Sequence, residues 1–381
     1  MIDAIASIGS GYKGPSMYRM RGPLLAKNVE ATKKFAEGYR KAWKDSGCTI
    51  MSDGWTDRKK RTLINFLVYC PKGTIFLKSV DATASSKTGN FLFKLFCDVV
   101  RFVGVENVVH FVTDNASNMV LAGKKLEAEF PSIYWSPCAA HCLNLILSDL
   151  GKLESVQSAV AHASKITRYL YNHCHPLFLM RKFTNGHEIL RPAPTRFSTN
   201  FVALQSLYKQ KDALRTMVIS KEWTSAPHAR EVKTRKFVDL VLDQQFWKDC
   251  ASICNFSEPL VRVLRIVDSD ERPAMGYLFG ALHCAIEEIQ TRFQKKKRAI
   301  QQPVLNAIEE RWDKYLDKNL HAAGFWFNPT NQYDEDLMSK YHTTTSGVID
   351  VIERYAAKDP ALRKALTAEM RIFRGAEGDF G

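Results

Sequence analysis

The chain has 381 residues, a net charge of +14 and a pI near 9.3, with 45% apolar and 25% charged residues. This balance is typical of a globular protein of about two to three domains and excludes collagen-like, intrinsically disordered and small disulfide-stapled classes. No run approaches the roughly 18 apolar residues that a membrane-spanning helix needs, so we expect no membrane partner.

The excess of positive charge lies in the first two thirds of the chain, and mostly in the middle segment. Residues 151–260 hold 16 basic and 9 acidic residues, whereas residues 261–381 hold 18 of each. A concentrated positive field favours a polyanionic partner, most simply nucleic acid. The nine cysteines are odd in number and scattered, which is typical of reduced, buried thiols in an intracellular protein without a secretion signal.

Three regions follow one another along the chain. Residues 1–46 predict an N-terminal helical arm that is entered through a glycine-rich loop. Residues 47–150 predict three strands, the second and third forming a hairpin, and then helix, strand, helix, strand and helix. This order predicts an α/β region, a mixed sheet with flanking helices. Residues 151–381 predict an all-α region whose apolar periodicity is interrupted at prolines, Pro259 among them.

Two aspartates follow predicted strands at equivalent places. Asp53 follows the first strand and Asp114 the fourth, and these strands can be neighbours in such a sheet, which would bring the carboxylates together. Carboxylates of this kind suit Mg²⁺ or Mn²⁺, and two such ions about 4 Å apart promote phosphodiester cleavage. The alternative is that Asp53 belongs to a turn and Asp114 caps a helix.

A second group of reactive side chains lies where the last helix of this region begins. Cys138 and His141 are three residues apart and share a helix face. Although His173, Cys174 and His175 follow, the spacing matches no familiar zinc pattern, so we do not expect zinc. His141 either assists chemistry at the two carboxylates or is a buried structural residue.

The loop 191–198 (RPAPTRFS) combines basic and aromatic side chains. Arg191 and Arg196 with an exposed Phe197 would suit the DNA backbone and the stacking of a base. Alternatively, Phe197 anchors the loop in the core. The basic run 295–298 (KKKR) suits a solvated helix face better than a nuclear-import signal.

Three ordered motifs resemble those of a hAT-superfamily transposase of the plant type. They are residues 52–56 (SDGWT), 112–119 (VTDNASNM) and 138–145 (CAAHCLNL). The similarity continues at 194–201 (PTRFSTNF) and 321–329 (HAAGFWFNP) and so spans nearly the whole chain. The resemblance implies an RNase H-like core with a DDE triad that holds divalent metal, interrupted by a long helical insertion.

The resemblance also implies roles for particular residues. Asp53 would be the first acid and Asp114 the second, while Cys138 and His141 match a Cys-x-x-His motif near the active site. Phe197 occupies the place of a tryptophan that stacks on a flipped-out base, and it lacks the indole N–H.

The sequence departs from the family pattern in two places. The third acid is a glutamate after the insertion, and Glu309, Glu310 and Glu377 all lack the matching context. No Cys-x-x-Cys pair of a BED zinc finger precedes residue 48. We therefore expect an internal piece of such a protein, RNase H-like but incomplete at its C-terminus.

These features together predict a transposase-derived nucleic-acid-binding protein with little or no strand-transfer activity. We expect weak, sequence-nonspecific and salt-dependent DNA binding, a nuclear or otherwise cytoplasmic location, and no small-molecule cofactor. Further partners would be a second copy or related transposase chains. One alternative is an active metal-dependent nuclease or transposase, completed by a non-homologous acid or a partner chain. The others are a helical protein-interaction scaffold without a DNA role and an unfolded or unexpressed gene fragment.

Overall fold

The computed structural model describes residue 7 and residues 14–84, 87–192, 197–269, 273–293 and 298–380. The chain divides into two compact units, Met1–Trp135 and Ser136–Gly381, and each unit contains its own hydrophobic core. Within the described ranges, no helix is long and apolar enough to cross a membrane.

The first unit is a mixed sheet with helices. Its strands are β1 (Cys48–Thr56), β2 (Thr62–Cys70), β3 (Gly73–Asp81), β4 (Val108–Thr113) and β5 (Tyr134–Pro137). Its α-helices are α1 (Met17–Arg19), α2 (Leu25–Glu37), α3 (Arg40–Ser46), α4 (Gly89–Val103) and α5 (Ser117–Glu129). Its other helical segments are the π-helix Met20–Leu24 and the 3₁₀ turn Val105–Asn107. The strand order is β3-β2-β1-β4-β5, with β1 antiparallel to β2 and parallel to β4. The predicted mixed sheet is therefore confirmed.

Alternation along β2 explains the buried face of this sheet. Ile64, Phe66 and Val68 are fully buried while the residues between them are partly exposed, because successive side chains of a strand point to opposite faces. Helix α4 packs there: the rings of Phe66 and Phe111 lie 6.1 Å and 4.7 Å from the ring of Phe96. The core of the first unit therefore lies between the sheet and α4.

Local sequence sets both ends of α4. The Thr88 hydroxyl accepts a hydrogen bond from the Phe91 N–H at 3.2 Å, a typical N-cap contact. Gly104 ends the helix with a φ of +106°, which side-chain-bearing residues rarely adopt, and its N–H donates to the Val100 carbonyl.

The second unit is helical after the end of β5. Its helices are α6 (Ala139–Leu150), α7 (Glu154–Asn172), α8 (Cys174–Phe183), α9 (Phe197–Lys209), α10 (Lys211–Ile219), α11 (Lys221–Thr224), α12 (Val232–Leu242), α13 (Gln244–Val267), α14 (Met275–Phe293), α15 (Arg298–Arg311), α16 (Asn319–Trp326), α17 (Pro329–Gln332), α18 (Glu335–Lys340), α19 (Thr344–Tyr355) and α20 (Pro360–Arg374). Its other helical segments are the 3₁₀ turns Pro227–Arg230 and Gly378–Phe380 and the π-helix Trp312–Leu316.

The predicted interruption at Pro259 is wrong, because α13 continues through this residue. Proline lacks an N–H, so the carbonyl four residues earlier loses its helical partner. That carbonyl belongs to Asn255, and it accepts a hydrogen bond from Arg292 Nη1 of α14 at 3.1 Å. A neighbouring helix thus replaces the bond that the proline removes.

None of the nine cysteines, all of which the structure describes, forms a disulfide, as the sequence indicates. Burial raises the pKa of Cys142 to about 12 and that of Cys254 to about 11, so both thiols stay protonated near neutral pH. The expectation of burial is wrong for Cys174 and Cys284, which are exposed.

Candidate functional site

The two predicted acids lie at the same end of neighbouring parallel strands. Ser52 of β1 pairs with Thr113 of β4. Asp53 and Asp114 are the residues that directly follow this pair in the sequence. The prediction that the first and fourth strands are neighbours is therefore confirmed. Carboxyl ends of parallel strands are where open α/β sheets usually bind ligands.

The turn interpretation of Asp53 is wrong, because β1 does not end there. The strand continues to Thr56 through antiparallel pairing with β2, in which Asp53 lies opposite Asn65. β4 has already ended at Thr113, and the Asp53 side chain is exposed to solvent. The Asp53 carboxylate thus lies on a paired strand, β1, next to the C-terminal end of β4.

Asp114 begins the loop between β4 and α5 and is half-buried. Its Oδ1 accepts a hydrogen bond from the Ala116 N–H at 2.8 Å, which holds the loop at the start of the helix. The Thr113 hydroxyl donates to the Asp114 carbonyl at 2.8 Å and accepts from Trp135 Nε1 at 3.2 Å. No described residue donates to Oδ2, so one carboxylate oxygen has a structural partner and the other is available to a ligand.

Two further residues near these acids have buried polar atoms without hydrogen-bond partners among the described residues. Ser52 is 5% exposed and its Oγ has no partner, and neither amide atom of the half-buried Asn115 has one. A buried unsatisfied polar group costs about 1–3 kcal/mol, so native structures contain few of them. Because successive side chains of a strand point to opposite faces, Ser52 lies on the buried face of β1 and Asp53 on the exposed one. Asp53, Asp114 and Asn115 therefore supply the hard oxygen donors, and these fit Mg²⁺ or Mn²⁺.

A cation also lies at this edge, and the sequence reasoning did not single it out. The Lys87 Nζ would lie 3.9 Å from a Cβ placed on Gly54, the residue after Asp53. Asn118 Nδ2 donates to the Lys87 carbonyl at 2.9 Å and so fixes the backbone at that point. The loop position of Lys87 carries no periodic signal, and only the folded sheet brings it beside β1.

Cys138 and His141 belong to the second unit. Cys138 occupies the N-cap position of α6 and is half-buried, whereas His141 is exposed one turn later. The interpretation of His141 as a buried structural residue is therefore wrong. Its neighbour Cys142 is the buried member of this motif. Among the residues that the structure describes, no three His, Cys, Asp or Glu side chains are grouped as metal ligands.

The predicted DNA-binding loop is described only in part. Arg191 is exposed, and its guanidinium carbon lies 4.7 Å from the ring centre of Tyr171. The Tyr171 hydroxyl is bonded to Glu188 and to the Ile189 backbone, which fixes the ring. Arg196 lies outside the described residues. Phe197 begins α9, and its side chain is also outside the description.

Comparisons with known proteins bear on the family. Residues 15–166 match the family model DUF659, a domain of unknown function. The chain is also similar to the human protein named zinc finger BED domain-containing protein 4, with 23% identity over 284 residues. That alignment covers 69% of this chain and 22% of the human protein, so the chain spans about a fifth of the length of this relative. Together the two matches support a relation to hAT-like, transposase-derived proteins.

Proposed function

We propose that this protein is a transposase-derived nucleic-acid-binding protein with little or no DNA strand-transfer activity of its own. The observation that carries the proposal is the positive charge of residues 151–260 in the second unit. Among the described basic residues of that segment, only Lys152, Arg181 and Lys182 lie within ion-pair distance of an acid. The remaining cations are available to phosphates, and phosphate neutralisation supplies most of the affinity of nonspecific nucleic-acid binding.

The two-acid edge supports an RNase H-like core of the plant-type hAT elements as part of the same proposal. Asp53 and Asp114, with the Asn115 amide beside them, would hold one Mg²⁺ or Mn²⁺ ion. Such an ion, when bound, polarises a phosphate oxygen and lowers the pKa of water. Two carboxylates hold a second ion poorly, and two-metal strand transfer needs both. We also infer a nuclear location from the relation to transposase-derived proteins.

Metal-dependent nicking of DNA is a second candidate function, and the edge of the sheet favours it. Ser52 of β1 pairs with Thr113 of β4, and Asp53 and Asp114 follow these two residues in sequence, which supports this candidate. The buried amide of Asn115 has no hydrogen-bond partner among the described residues and is available to a ligand. Lys87 is close enough to contribute a positive charge beside a phosphate. One bound ion together with this lysine would support slow hydrolysis rather than strand transfer.

The binding proposal is tested by fluorescence anisotropy with labelled oligonucleotides over a range of KCl concentrations. We expect micromolar binding at low salt, weak dependence on base sequence, and a linear fall of log affinity with log salt. An absence of binding at low salt would contradict the proposal and favour a protein-interaction scaffold.

The nicking candidate is tested on supercoiled plasmid with Mg²⁺ or Mn²⁺. The wild-type chain is compared with Asp53→Asn, Asp114→Asn and the control Asp45→Asn, an exposed acid of α3. Nicking that disappears in the first two variants and persists in the control would establish the second candidate. Nicking that survives in all of them would indicate a contaminating nuclease.

A further inference from the structure

A groove in the second unit lies outside every site discussed so far. It runs between α7 and α12 and has a volume of about 410 Å³. Its lining consists of basic, aromatic and amide side chains together with one leucine: Lys165, Arg168, Tyr169, Asn172, His173, Lys233, Lys236, Phe237 and Leu240. Among the residues that the structure describes, no acidic one lines it.

Four of these lining residues are cations, and they form two rows of two, one row on α7 and one on α12. Lys165 and Arg168 are three residues apart on α7, and Lys233 and Lys236 are three apart on α12, a spacing that places each pair on one helix face. All four are exposed, and none lies within ion-pair distance of an acid among the residues that the structure describes.

Cations elsewhere in the same unit are arranged differently. Arg292 of α14 pairs with Glu258 at 2.6 Å and also with Glu288, and Arg262 pairs with the same two acids. Those charges are neutralised within the fold. The cations of the two rows that border the groove have no acidic partner among the described residues, so they are available to an anionic ligand.

Aromatic rings form the base of the groove. The ring of Tyr169 stacks on Phe237 and on His173, with centroids 4.4 Å apart in both cases. Phe237 is 2% exposed and forms the buried end of this stack. The Tyr169 hydroxyl lies 2.7 Å from Thr234 Oγ1, and His173 Nδ1 lies 2.7 Å from the Tyr169 carbonyl. These bonds hold the rings in place before any ligand binds.

We propose that this groove binds single-stranded nucleic acid. The cation rows neutralise phosphates along the strand, and the outer face of the partly exposed His173 ring, at the end of the stack, receives the face of an unstacked base. Duplex bases are already stacked on one another, so an aromatic platform between the rows favours a single strand. The inference rests on the proposed nucleic-acid binding and adds to it the place and the strand form.

The electrostatic part is tested on the full chain with a labelled oligothymidine of about 15 nucleotides, within the site sizes of single-strand binders. Lys165→Ala/Lys236→Ala is compared with Lys358→Ala/Lys364→Ala, two exposed lysines that do not line the groove. We expect the groove variant to bind about tenfold more weakly, with the salt slope lower by about 1.4. We expect the control to remain close to wild type, and circular dichroism checks that both variants fold.

The stacking part is tested with an oligonucleotide of the same length in which the bases are replaced by abasic sites. We expect wild type to prefer the base-bearing strand by at least about fivefold. His173→Leu should lose most of that preference at an unchanged salt slope. His175→Leu, an exposed histidine that does not line the groove, should keep it.

The outcomes separate this inference from the function on which it rests. If the wild-type chain binds neither strand form, both are wrong. If it binds and the groove variant matches the control, the proposed function stands and the groove is not its site. A preference for duplex, or equal affinity for the abasic strand, would overturn the assignment of a single-stranded ligand.

Discussion

The two units of this protein position their polar groups by different means. Asp53 and Asp114 are far apart in sequence and become neighbours only through the pairing of β1 with β4. Lys165 and Arg168 share a face through helical spacing alone. A slip of one residue in the strand register would turn the Asp53 side chain to the other face of the sheet, whereas removing one groove cation leaves the others in place. A change in strand register would therefore abolish the two-acid site as a whole, whereas loss of one cation would only weaken binding in the groove.

Both units contain buried polar atoms that have no hydrogen-bond partner among the described residues. They belong to Trp43, Ser52 and Asn115 in the first unit and to Asn144, His228 and Gln332 in the second. In the second unit, the Asn255 carbonyl that Pro259 releases accepts a hydrogen bond from Arg292 instead. In the first unit, the unsatisfied amide of Asn115 belongs to the residue after Asp114, where a ligand can satisfy it.

The largest loss of stability is expected from a substitution in the core of the helical unit. Leu147 of α6 is fully buried, so Leu147→Ala should lower the free energy of unfolding by about 2–5 kcal/mol. Thermal and urea unfolding measure the change, and Leu145→Ala, at a less buried position of α6, is the control. If the units unfold separately, only one transition should move. Equal losses in the two variants would contradict the assigned core.

In the sheet unit, Gly123 of α5 tests how tightly the helix packs on Trp135. A Cβ at residue 123 would overlap the indole ring, so Gly123→Ala should destabilise the unit by about 1–3 kcal/mol. Alanine otherwise favours a helix over glycine by about 1 kcal/mol. Gly22→Ala is the matched control, because its Cβ meets nothing within 4 Å. Stabilisation by both substitutions would show that the indole moves aside.

Asp149 sharpens the comparison because it connects helices that are distant in sequence. Burial alone would raise the pKa of Asp149, but hydrogen bonds from Lys152 and Arg311 hold it below its ordinary value. Asp149→Asn should therefore cost about 1–2 kcal/mol at neutral pH. Lys152→Met, which removes only an exposed partner, should cost less.

The pH dependence of this pair has a definite sign. A carboxyl group with a lowered folded-state pKa stabilises the fold above its unfolded pKa, about 3.9, and loses that contribution as the pH falls through the folded value. The stability difference between wild type and Asp149→Asn should be constant from about pH 7 to pH 5 and shrink below about pH 4. Urea titrations at several pH values measure it, and a difference that grows in acid would contradict the assignment.

The smallest effect on stability is expected at the two-acid edge. Asp53 is exposed and has no ion pair among the described residues, so Asp53→Asn should change unfolding by less than about 0.5 kcal/mol without metal. Millimolar Mn²⁺ should raise the melting temperature of wild type and not that of Asp53→Asn or Asp114→Asn. Asp45→Asn should respond like wild type, and an equal Mn²⁺ response in all four proteins would exclude a metal at this edge.

The elements of the sheet unit were predictable because their signals are local. Alternation in β2, the apolar spacing of α4 and the glycine after it all predict the observed elements. The end of β1 was not predictable, because β2 extends the strand beyond the point where β4 ends. The exposure of His141 was missed for a similar reason, since a Cys-x-x-His spacing does not say which side of α6 is covered.

The sequence by itself determined the mixed sheet, the helical remainder and the positive middle segment, because composition and periodicity are properties of neighbouring residues. Only the tertiary structure decided that Lys87 lies beside β1, that Ser52 Oγ and the Asn115 amide are buried without partners among the described residues, and that α7 and α12 bring two cation rows to one groove. Those facts depend on which distant segments pack together, and packing depends on the whole chain at once.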